Sequence, residues 1–441
     1  MAASSSRRVL GLHLADGIGR GNMWACLSMS FVATMVISFL PAAQPYILGG
    51  VLGVAKTDQG KVVGLLGVAA EIAMIASLAW YGALADRFGR RPIVVAGFVL
   101  CALGAALFPF AGDTTVLVAL RVVFALGVAA LSGMMSTVAI DYVRDGSRGK
   151  SYGLVGLFSG LGAMVAVLGL VRLPKILEDG GTAPVTAARI SFLIIAAVVL
   201  AVAALMWFTL SGTGVGATAE QVPLIRLVRE GVALARDPGV ALSYAAAFVA
   251  RADLAVVAGF LSLWVIDYAT GERGMPAAEA LARGGAVVGV AQTVAVVAAP
   301  LFGWLGDRMR RQDVLILAQV VAALSYLSML LIDDPLGSGM MLAAVFVGLG
   351  EIAAITTAGP LLAQQAPAAV RGSAYGVQTL CGAVGILVVS ALGGLLYDAW
   401  RPAAPFVLSG VFGLLVAVFG LVVRRRVTPL PEDRESMVAA G

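Results

Sequence analysis

Long apolar segments separated by short polar loops run through most of the chain. Twelve such segments can be drawn, each near the length of about 20 residues that an α-helix needs to cross a bilayer. An even number of crossings predicts that both termini lie on one side. We predict spans at 23–48, 62–83, 92–111, 115–140, 151–173, 188–210, 239–268, 283–305, 313–333, 339–365, 373–397 and 405–423.

Composition agrees with this pattern, because 60% of the residues are hydrophobic and only 12% are charged. Soluble domains carry about 25% charged residues, so we predict an all-α, multi-pass membrane protein and no nucleic-acid partner, despite a net charge of +5. Cys26, Cys101 and Cys381 lie in apolar segments, so no disulfide framework is expected. Residues 1–22 lack an apolar core, which argues against a cleavable signal peptide.

Arginine and lysine concentrate in alternate loops, and this bias predicts topology. The cation-rich loops contain Arg87, Arg90, Arg91; Arg144, Arg148, Lys150; Arg308, Arg310, Arg311; Arg371; and Arg424, Arg425, Arg426. The other loops carry fewer cations. Because positive loops stay inside, both termini are predicted in the cytoplasm, in a plasma or bacterial inner membrane.

Residues 211–238 divide the chain into halves. The stretch SGTGVGATAEQ has the composition of a flexible linker. VPLIRLVREGVALARDP follows with an apolar face, typical of a helix on the membrane surface, although a solvated linker helix has the same pattern. The predicted divisions are a tail (1–22), a six-helix bundle (23–210), the linker (211–238), a second bundle (239–423) and a tail (424–441).

Two motifs recur about half a chain apart. GALADRFGRRP at 82–92 resembles GWLGDRMRRQ at 303–312, with their Asp-Arg pairs 221 residues apart (307 − 86). RGKSYGLVGLFSGLG begins at Arg148 and RGSAYGVQTLCGAVG at Arg371, an offset of 223 (371 − 148). These repeats predict two pseudo-symmetric six-helix bundles with substrate bound at their interface. We also expect the glycines at 156 and 160 to form a close helix contact.

The first of these loops resembles the signature loop of the major facilitator superfamily, and the resemblance extends over nearly the whole chain. The matching residues are Gly82, Asp86, Arg87, Gly89, Arg90 and Arg91, and the looser second copy keeps Gly303, Asp307, Arg308, Arg310 and Arg311. The family motif in the fourth helix is partly matched at Arg121, and the Gly-Pro pair of the antiporter subgroup is absent. The resemblance implies a secondary transporter that works by alternating access, with helices 1, 4, 7 and 10 lining the cavity.

The signature loops suggest a conformational latch between the halves. Asp86 could accept hydrogen bonds from the start of segment 11, near Ser373, where the helix dipole favours an anion. Arg90 could reach Asp141 at the end of segment 4. By symmetry, Asp307 would face the start of segment 5. The alternative is that these arginines only set topology.

Five ionisable residues fall within predicted spans, where each is costly unless it is paired or hydrated, and such residues are functional candidates. They are Glu71, Arg121, Arg251, Asp253 and Glu351. Arg251 and Asp253 lie about 200° apart around a helix, so they cannot both face one cavity. We favour Asp253 as the titrating or substrate-facing residue, with Arg251 as the alternative substrate anchor.

The surroundings of the other candidates leave alternatives open. Glu71 is a proton site, a static partner of Arg121, or neither, and the repeat places Gln292 at its counterpart position (71 + 221). Glu351 lies among glycines with Pro360 nearby, a pattern that favours a binding or gating helix. Gln44 and Tyr46, flanking Pro45 near the outer end of segment 1, show a similar pattern, which a static kink would also explain.

The chain contains neither a Walker loop nor a cluster of metal ligands, and its one histidine, His13, lies in the tail. We therefore predict no enzyme activity, cofactor or metal. The predicted function is secondary transport of a small organic solute, anionic or carboxylate-bearing, coupled to protons, with sodium as the other possible ion. The alternatives are proton-driven efflux of drugs or amphipathic compounds and, thirdly, a transporter-like solute sensor. We expect a monomer in contact with membrane lipid.

Overall fold

Helices long and apolar enough to cross a membrane dominate the structure, a computed structural model that describes residues 8–144, 147–211, 224–367 and 370–427. Twelve such helices are present among these residues, which confirms the predicted fold class. The described residues contain fifteen α-helices: α1 (Arg20–Gly50), α2 (Lys56–Phe88), α3 (Arg90–Leu107), α4 (Thr114–Asp141), α5 (Arg148–Leu168), α6 (Leu173–Asp179), α7 (Pro184–Thr209), α8 (Leu224–Ala233), α9 (Pro238–Val256), α10 (Ser262–Gly271), α11 (Ala277–Arg308), α12 (Arg311–Leu327), α13 (Ser338–Gln365), α14 (Arg371–Ala399) and α15 (Ala404–Val423). They make twelve spans because α5 and α6 belong to one span, α9 and α10 belong to another, and α8 belongs to none.

The seventh span is built from two helices joined by an irregular turn. A π-helical turn, Val257–Leu261, connects α9 to α10. Its first N–H bonds to the carbonyl oxygens of Asp253 and Leu254. Single π turns inside α-helices occur frequently at functional sites. By contrast, α1 continues through Pro41 and Pro45 without interruption.

The chain forms two compact units that follow the predicted halves except at two segments. Unit 1 comprises Met1–Ala55, Ala69–Thr218 and Gly274–Ala286, and unit 2 comprises Lys56–Val68, Ala219–Arg273 and Val287–Gly441. The first third of α2 therefore packs with the second-half helices of unit 2. The first third of α11 packs in unit 1, where an added Cβ at Gly285 would lie 2.6 Å from the carbonyl oxygen of Val167.

Within each unit, helices pack closely where a glycine lies at the point at which two helices cross. In unit 1, a Cβ at Gly162 would collide with the carbonyl oxygen of Phe31, and in unit 2 a Cβ at Gly385 would collide with that of Phe248. This is the close approach that small residues allow between membrane helices. The expectation for Gly156 is wrong, because a Cβ there would meet no atom within 4 Å.

The predicted N-terminal tail is partly folded. Its strands β1 (Arg8–Val9) and β2 (Leu12–His13) form an antiparallel hairpin. Leu14 then pairs with Val143, directly after α4. Leu12 is fully buried, so this hairpin is anchored in unit 1 by both backbone pairing and apolar burial.

The predicted linker helix is present as α8, whereas residues 212–223 of the linker lie outside the described residues. Tyr244 of α9 donates a hydrogen bond to the carbonyl oxygen of Gly231 at 2.9 Å. A Cβ at Gly231 would lie 2.5 Å from the carbonyl oxygen of Ser373. The helix is therefore packed against α14 within unit 2.

Candidate functional site

Unit 2 contains a group of buried and half-buried polar side chains contributed by five helices, which we call the polar cluster. Its members are Asp253 on α9, Gln292 on α11, Tyr326 on α12, Glu351 on α13 and Ser409 on α15. Asp253 and Tyr326 are completely buried, and Glu351 is 2% exposed. The cluster is thus removed from the surface of a bundle that is otherwise apolar.

Hydrogen bonds satisfy only part of the polar cluster. Gln292 Nε2 donates to the two carboxylate oxygens of Glu351 at 3.3 and 3.2 Å. Asp253 lies beside Ser409 and interacts electrostatically with Glu351. Even so, both carboxylate oxygens of Asp253, the Ser409 hydroxyl and the Tyr326 hydroxyl have no partner with hydrogen-bond geometry. Each such buried group costs about 1–3 kcal/mol, so their concentration at one place calls for a functional explanation.

The two carboxylates of the polar cluster lack a compensating positive charge. Within the described residues, no cationic side chain interacts electrostatically with Asp253 or Glu351. Burying an isolated ionised carboxylate is expensive, and the usual remedies are a proton, a counter-ion or a bound cation. The arrangement can therefore take up and release a small positively charged species.

Arg251 and Asp253 point in different directions, as their spacing on the helix predicts. Arg251 is exposed, and its side chain passes over Gly382 of α14, where an added Cβ would lie 2.5 Å from Arg251 Cγ. Asp253 is fully buried. The accessible residue is thus Arg251, while the substrate-facing role that we favoured for Asp253 stays a prediction. A titrating role for Asp253 stays a prediction.

Unit 1 brings Glu71 and Arg121 together. Glu71 on α2 is 4% exposed, and it interacts electrostatically with Arg121 on α4. The Arg121 guanidinium lies 5.5 Å from the ring centre of Phe124, and its Nε atom is buried without a hydrogen-bond partner. The two charges therefore interact, while both the ion-pair and the proton-binding roles of Glu71 stay predictions.

The candidates on α1 are both buried. Gln44 is 3% exposed and Tyr46 is 1% exposed. The Tyr46 hydroxyl lies 3.3 Å from both Glu178 Oε1 and the carbonyl oxygen of Pro184. Tyr46 therefore connects α1 to α6 and to the start of α7 within unit 1, and its predicted role in binding solute stays a prediction.

One predicted latch contact is present within unit 1. Arg90 Nε donates to Asp141 Oδ2 at 3.0 Å, and Arg90 Nη1 donates to the carbonyl oxygen of Ala85 at 3.3 Å. Both charged side chains are mostly buried, which protects the pair from solvent screening. Gly89 has φ +88°, a conformation that favours glycine and turns the chain sharply between α2 and α3.

Three other arginines of the signature loops lie beside aromatic rings. The guanidinium carbons of Arg87, Arg91 and Arg308 lie 5.2, 4.7 and 4.2 Å from the ring centres of Phe88, Trp207 and Trp304. A Cβ at Gly303 would meet open space. The side chains at Gly82, Asp86 and Asp307 lie outside the described residues, so the docking predicted for the two aspartates stays a prediction.

Sequence reasoning missed two members of the polar cluster, Tyr326 and Ser409. It also missed Gln319 on α12, which is fully buried with both amide atoms unpartnered. For each of these three residues, the sequence signal was one polar side chain within an apolar span. Such a signal is weaker than that of a charged side chain. Gln292 had been marked only as the counterpart of Glu71.

Comparison with known proteins places the chain among membrane transporters. It is 27% identical over 406 residues to magnetosome protein MamH of Paramagnetospirillum magneticum, covering 90% of this chain and 91% of that protein. It is 26% identical over 405 residues to magnetosome protein MamZ of the same organism, covering 88% of this chain but only 60% of MamZ. The fold matches that of the nucleoside transporter NupG with a TM-score of 0.70 at 13% identity, over 91% of this chain and 98% of that one. The Major Facilitator Superfamily profile matches residues 26–335 and 244–439, and the chain therefore belongs to that superfamily.

Proposed function

We propose that this chain is a proton-coupled secondary transporter of a small organic solute that carries a carboxylate or another anionic group. The observation that carries the proposal is the polar cluster, in which Asp253 and Glu351 are buried together without a cationic partner among the described residues. A proton is the smallest species that neutralises a buried carboxylate, and buried acids are typical of proton relays in transporters.

Alternating access supplies the route by which this proton would exchange. A carboxylate that is buried in one conformation and hydrated in another binds a proton in the first and releases it in the second. The Gln292 amide orients Glu351 through two long hydrogen bonds. Asp253 is the freer of the two, because neither of its oxygens has a hydrogen-bond partner. We therefore assign proton uptake and release to Asp253, with Glu351 as its coupled neighbour.

Arg251 favours an anionic solute. Its guanidinium is exposed on the helix that carries Asp253, and guanidinium groups recognise carboxylates through paired hydrogen bonds. Solute and proton would then be bound by residues two positions apart on α9, on different faces of the helix, so that movement of α9 and its π turn affects both. We further propose that both termini face the cytoplasm, because the arginine-rich loops fall on their side, and that the protein functions as a monomer.

Transport by reconstituted vesicles tests the proposal. Purified protein in proteoliposomes is assayed with a panel of mono- and dicarboxylates under an imposed pH gradient, with a pH-sensitive dye inside. Asp253→Asn and Glu351→Gln should abolish gradient-driven accumulation but leave solute counterflow, which needs no net proton movement. Glu272→Gln is the matched control, because Glu272 is an exposed acid of the same unit.

Three outcomes would overturn the proposal. Accumulation that survives Asp253→Asn would remove the proton site from the polar cluster. Uptake that follows an imposed sodium gradient and ignores the pH gradient would make sodium the coupling ion. Absence of any flux, including counterflow, for a protein that still binds solute would favour the sensor interpretation.

A further inference from the structure

A cavity of about 300 Å³ lies beside the second signature loop, residues 303–312, inside unit 2. Its lining comes from the ends of α11, α12 and α13, namely Phe302, Gly303, Gly306, Arg311, Val314, Thr356, Thr357 and Pro360. The wall formed by the two glycines is open, because a Cβ at Gly303 or Gly306 would meet no atom within 4 Å. None of the lining residues belongs to the polar cluster, so this is a separate site.

Arg311 gives the cavity a positive charge that no carboxylate of the described residues compensates. Its Nη1 donates to the carbonyl oxygen of Pro360 at 2.7 Å, a neutral acceptor. The neighbouring Asp313 accepts two hydrogen bonds from Arg424, at 2.6 and 2.9 Å, and is thereby occupied. The guanidinium therefore has donors left for an anion.

The equivalent arginine in the first half of the chain has an acidic partner that Arg311 lacks. Arg90 occupies the position equivalent to Arg311 (311 − 90 = 221), and it is ion-paired with Asp141. The position equivalent to Asp141 is Gln364 (364 − 141 = 223), and its Oε1 atom is buried without a hydrogen-bond partner. The second half thus has the arginine of the first half but an amide where the first half has an acid, and the cavity lies beside the arginine.

The remaining lining indicates which anion fits. Thr356 and Thr357 donate their hydroxyl hydrogens to the carbonyl oxygens of Ile352 and Ala353, at 2.7 and 2.9 Å. Their oxygens can then only accept, so a ligand hydroxyl beside its anionic group would be matched. Phe302 supplies an apolar wall next to these polar atoms.

We propose that this cavity binds a phosphate group on Arg311, with hydroxyls of the same molecule donating to Thr356 and Thr357. Arginine is the side chain best suited to bind phosphate through two parallel hydrogen bonds. The volume is at the lower end of the range for ligand pockets, which suits a phosphoglycerol group. That group is supplied either by the headgroup of an anionic lipid or by a soluble phosphate ester.

Two binding measurements on the purified full-length protein test the proposal and separate the sources. Native mass spectrometry measures retention of phosphatidylglycerol from micelles mixed with phosphatidylcholine. Thermal unfolding measures stabilisation by glycerol 3-phosphate. Arg311→Gln should weaken whichever binding is observed by about tenfold, the effect of losing a charge-assisted pair. Arg310→Gln is the matched control, because Arg310 is exposed and does not line the cavity.

A second variant covers the case in which Arg311→Gln does not fold. Gly306→Leu places an apolar side chain in the cavity and keeps the guanidinium, and it should weaken binding to a similar extent. If both variants lose lipid retention, the site binds a lipid headgroup. If both lose stabilisation by glycerol 3-phosphate, the site binds a soluble ester. Equal loss in Arg310→Gln, full binding by Gly306→Leu, or no binding of either probe by the unmodified protein would overturn the proposal.

Discussion

Replacing Gly64 with alanine should separate the first third of α2 from α14. Within unit 2, a Cβ at Gly64 would collide with the carbonyl oxygen of Ser390 and lie 3.3 Å from Cα of Gly394. Both neighbours are backbone atoms, and neither can rotate away as a side chain could. The substitution therefore fits only if the two helices move apart.

The size of the effect follows from what this movement disturbs. Overpacking a tight contact costs about 1–3 kcal/mol. Asp398 also accepts hydrogen bonds from the backbone N–H groups of Gly60 at 2.9 Å and Lys61 at 2.7 Å, and these lengthen as the helices separate. Alanine is the better helix former by about 0.8–1 kcal/mol, which offsets part of the loss. We expect a net destabilisation of about 1–2 kcal/mol and a fall in apparent Tm of about 1–2 °C, since the unfolding entropy grows with chain length.

This change is measured by thermal unfolding in one detergent, monitored by intrinsic fluorescence. Alanine substitutions at two other glycines serve as matched controls. A Cβ at Gly67 would meet Oγ and Cβ of Ser390 at 2.7 and 3.0 Å, and since the hydroxyl can rotate away, Gly67→Ala should cost less than Gly64→Ala. Gly156 faces open space, so Gly156→Ala should be neutral or slightly stabilising. If Gly64→Ala unfolds at the same temperature as Gly67→Ala, backbone contact between α2 and α14 is not what limits the stability of this region.

Two further substitutions test other parts of the structure. Asp253→Leu replaces two unpartnered carboxylate oxygens by an apolar group. The free energy of unfolding should therefore increase by about 1–3 kcal/mol, and the apparent Tm should rise. A lower Tm would show that Asp253 has a stabilising partner. Leu12→Asp places a charge at a fully buried position of the N-terminal hairpin and should speed proteolytic cleavage near residue 12, whereas Leu10→Asp, at a position 53% exposed, should not. Equal cleavage of both variants would contradict the anchoring of the hairpin.

The number of spans could be predicted because it follows from sequence features that extend over many residues. Hydropathy over about 20 residues is set by the bilayer thickness, whatever the neighbouring helices are. The contact between Arg90 and Asp141 could also be anticipated, since the chain brings the ends of segments 2 and 4 to the same side. Boundaries were less accurate, and α2 begins at Lys56, six residues before its predicted start at 62.

Helix faces could not be predicted, because they depend on which helices become neighbours. The glycines at 156 and 160 have the spacing of a close contact, yet Gly156 faces open space. Gly60 and Gly64 have the same spacing, and they do pack closely against α14. The polar cluster could not be predicted from the sequence for the same reason. Ser409 is unremarkable in its own span, and only the fold places it beside Asp253.

Charged side chains are paired differently in the two halves of the chain. This difference underlies both the proposed proton site and the proposed phosphate site. In unit 1, Glu71 interacts with Arg121, and Arg90 is paired with Asp141, so opposite charges lie together. In the second half, glutamine stands at the counterparts of Glu71 and Asp141, as Gln292 and Gln364. Arg311 is then left beside a cavity, and the partner of Glu351 is the neutral amide of Gln292, whereas Glu71 interacts with a guanidinium. Buried acids within a span are costly, and a mobile proton would remove that cost, while a phosphate would supply the opposite charge that Arg311 lacks at the start of α12.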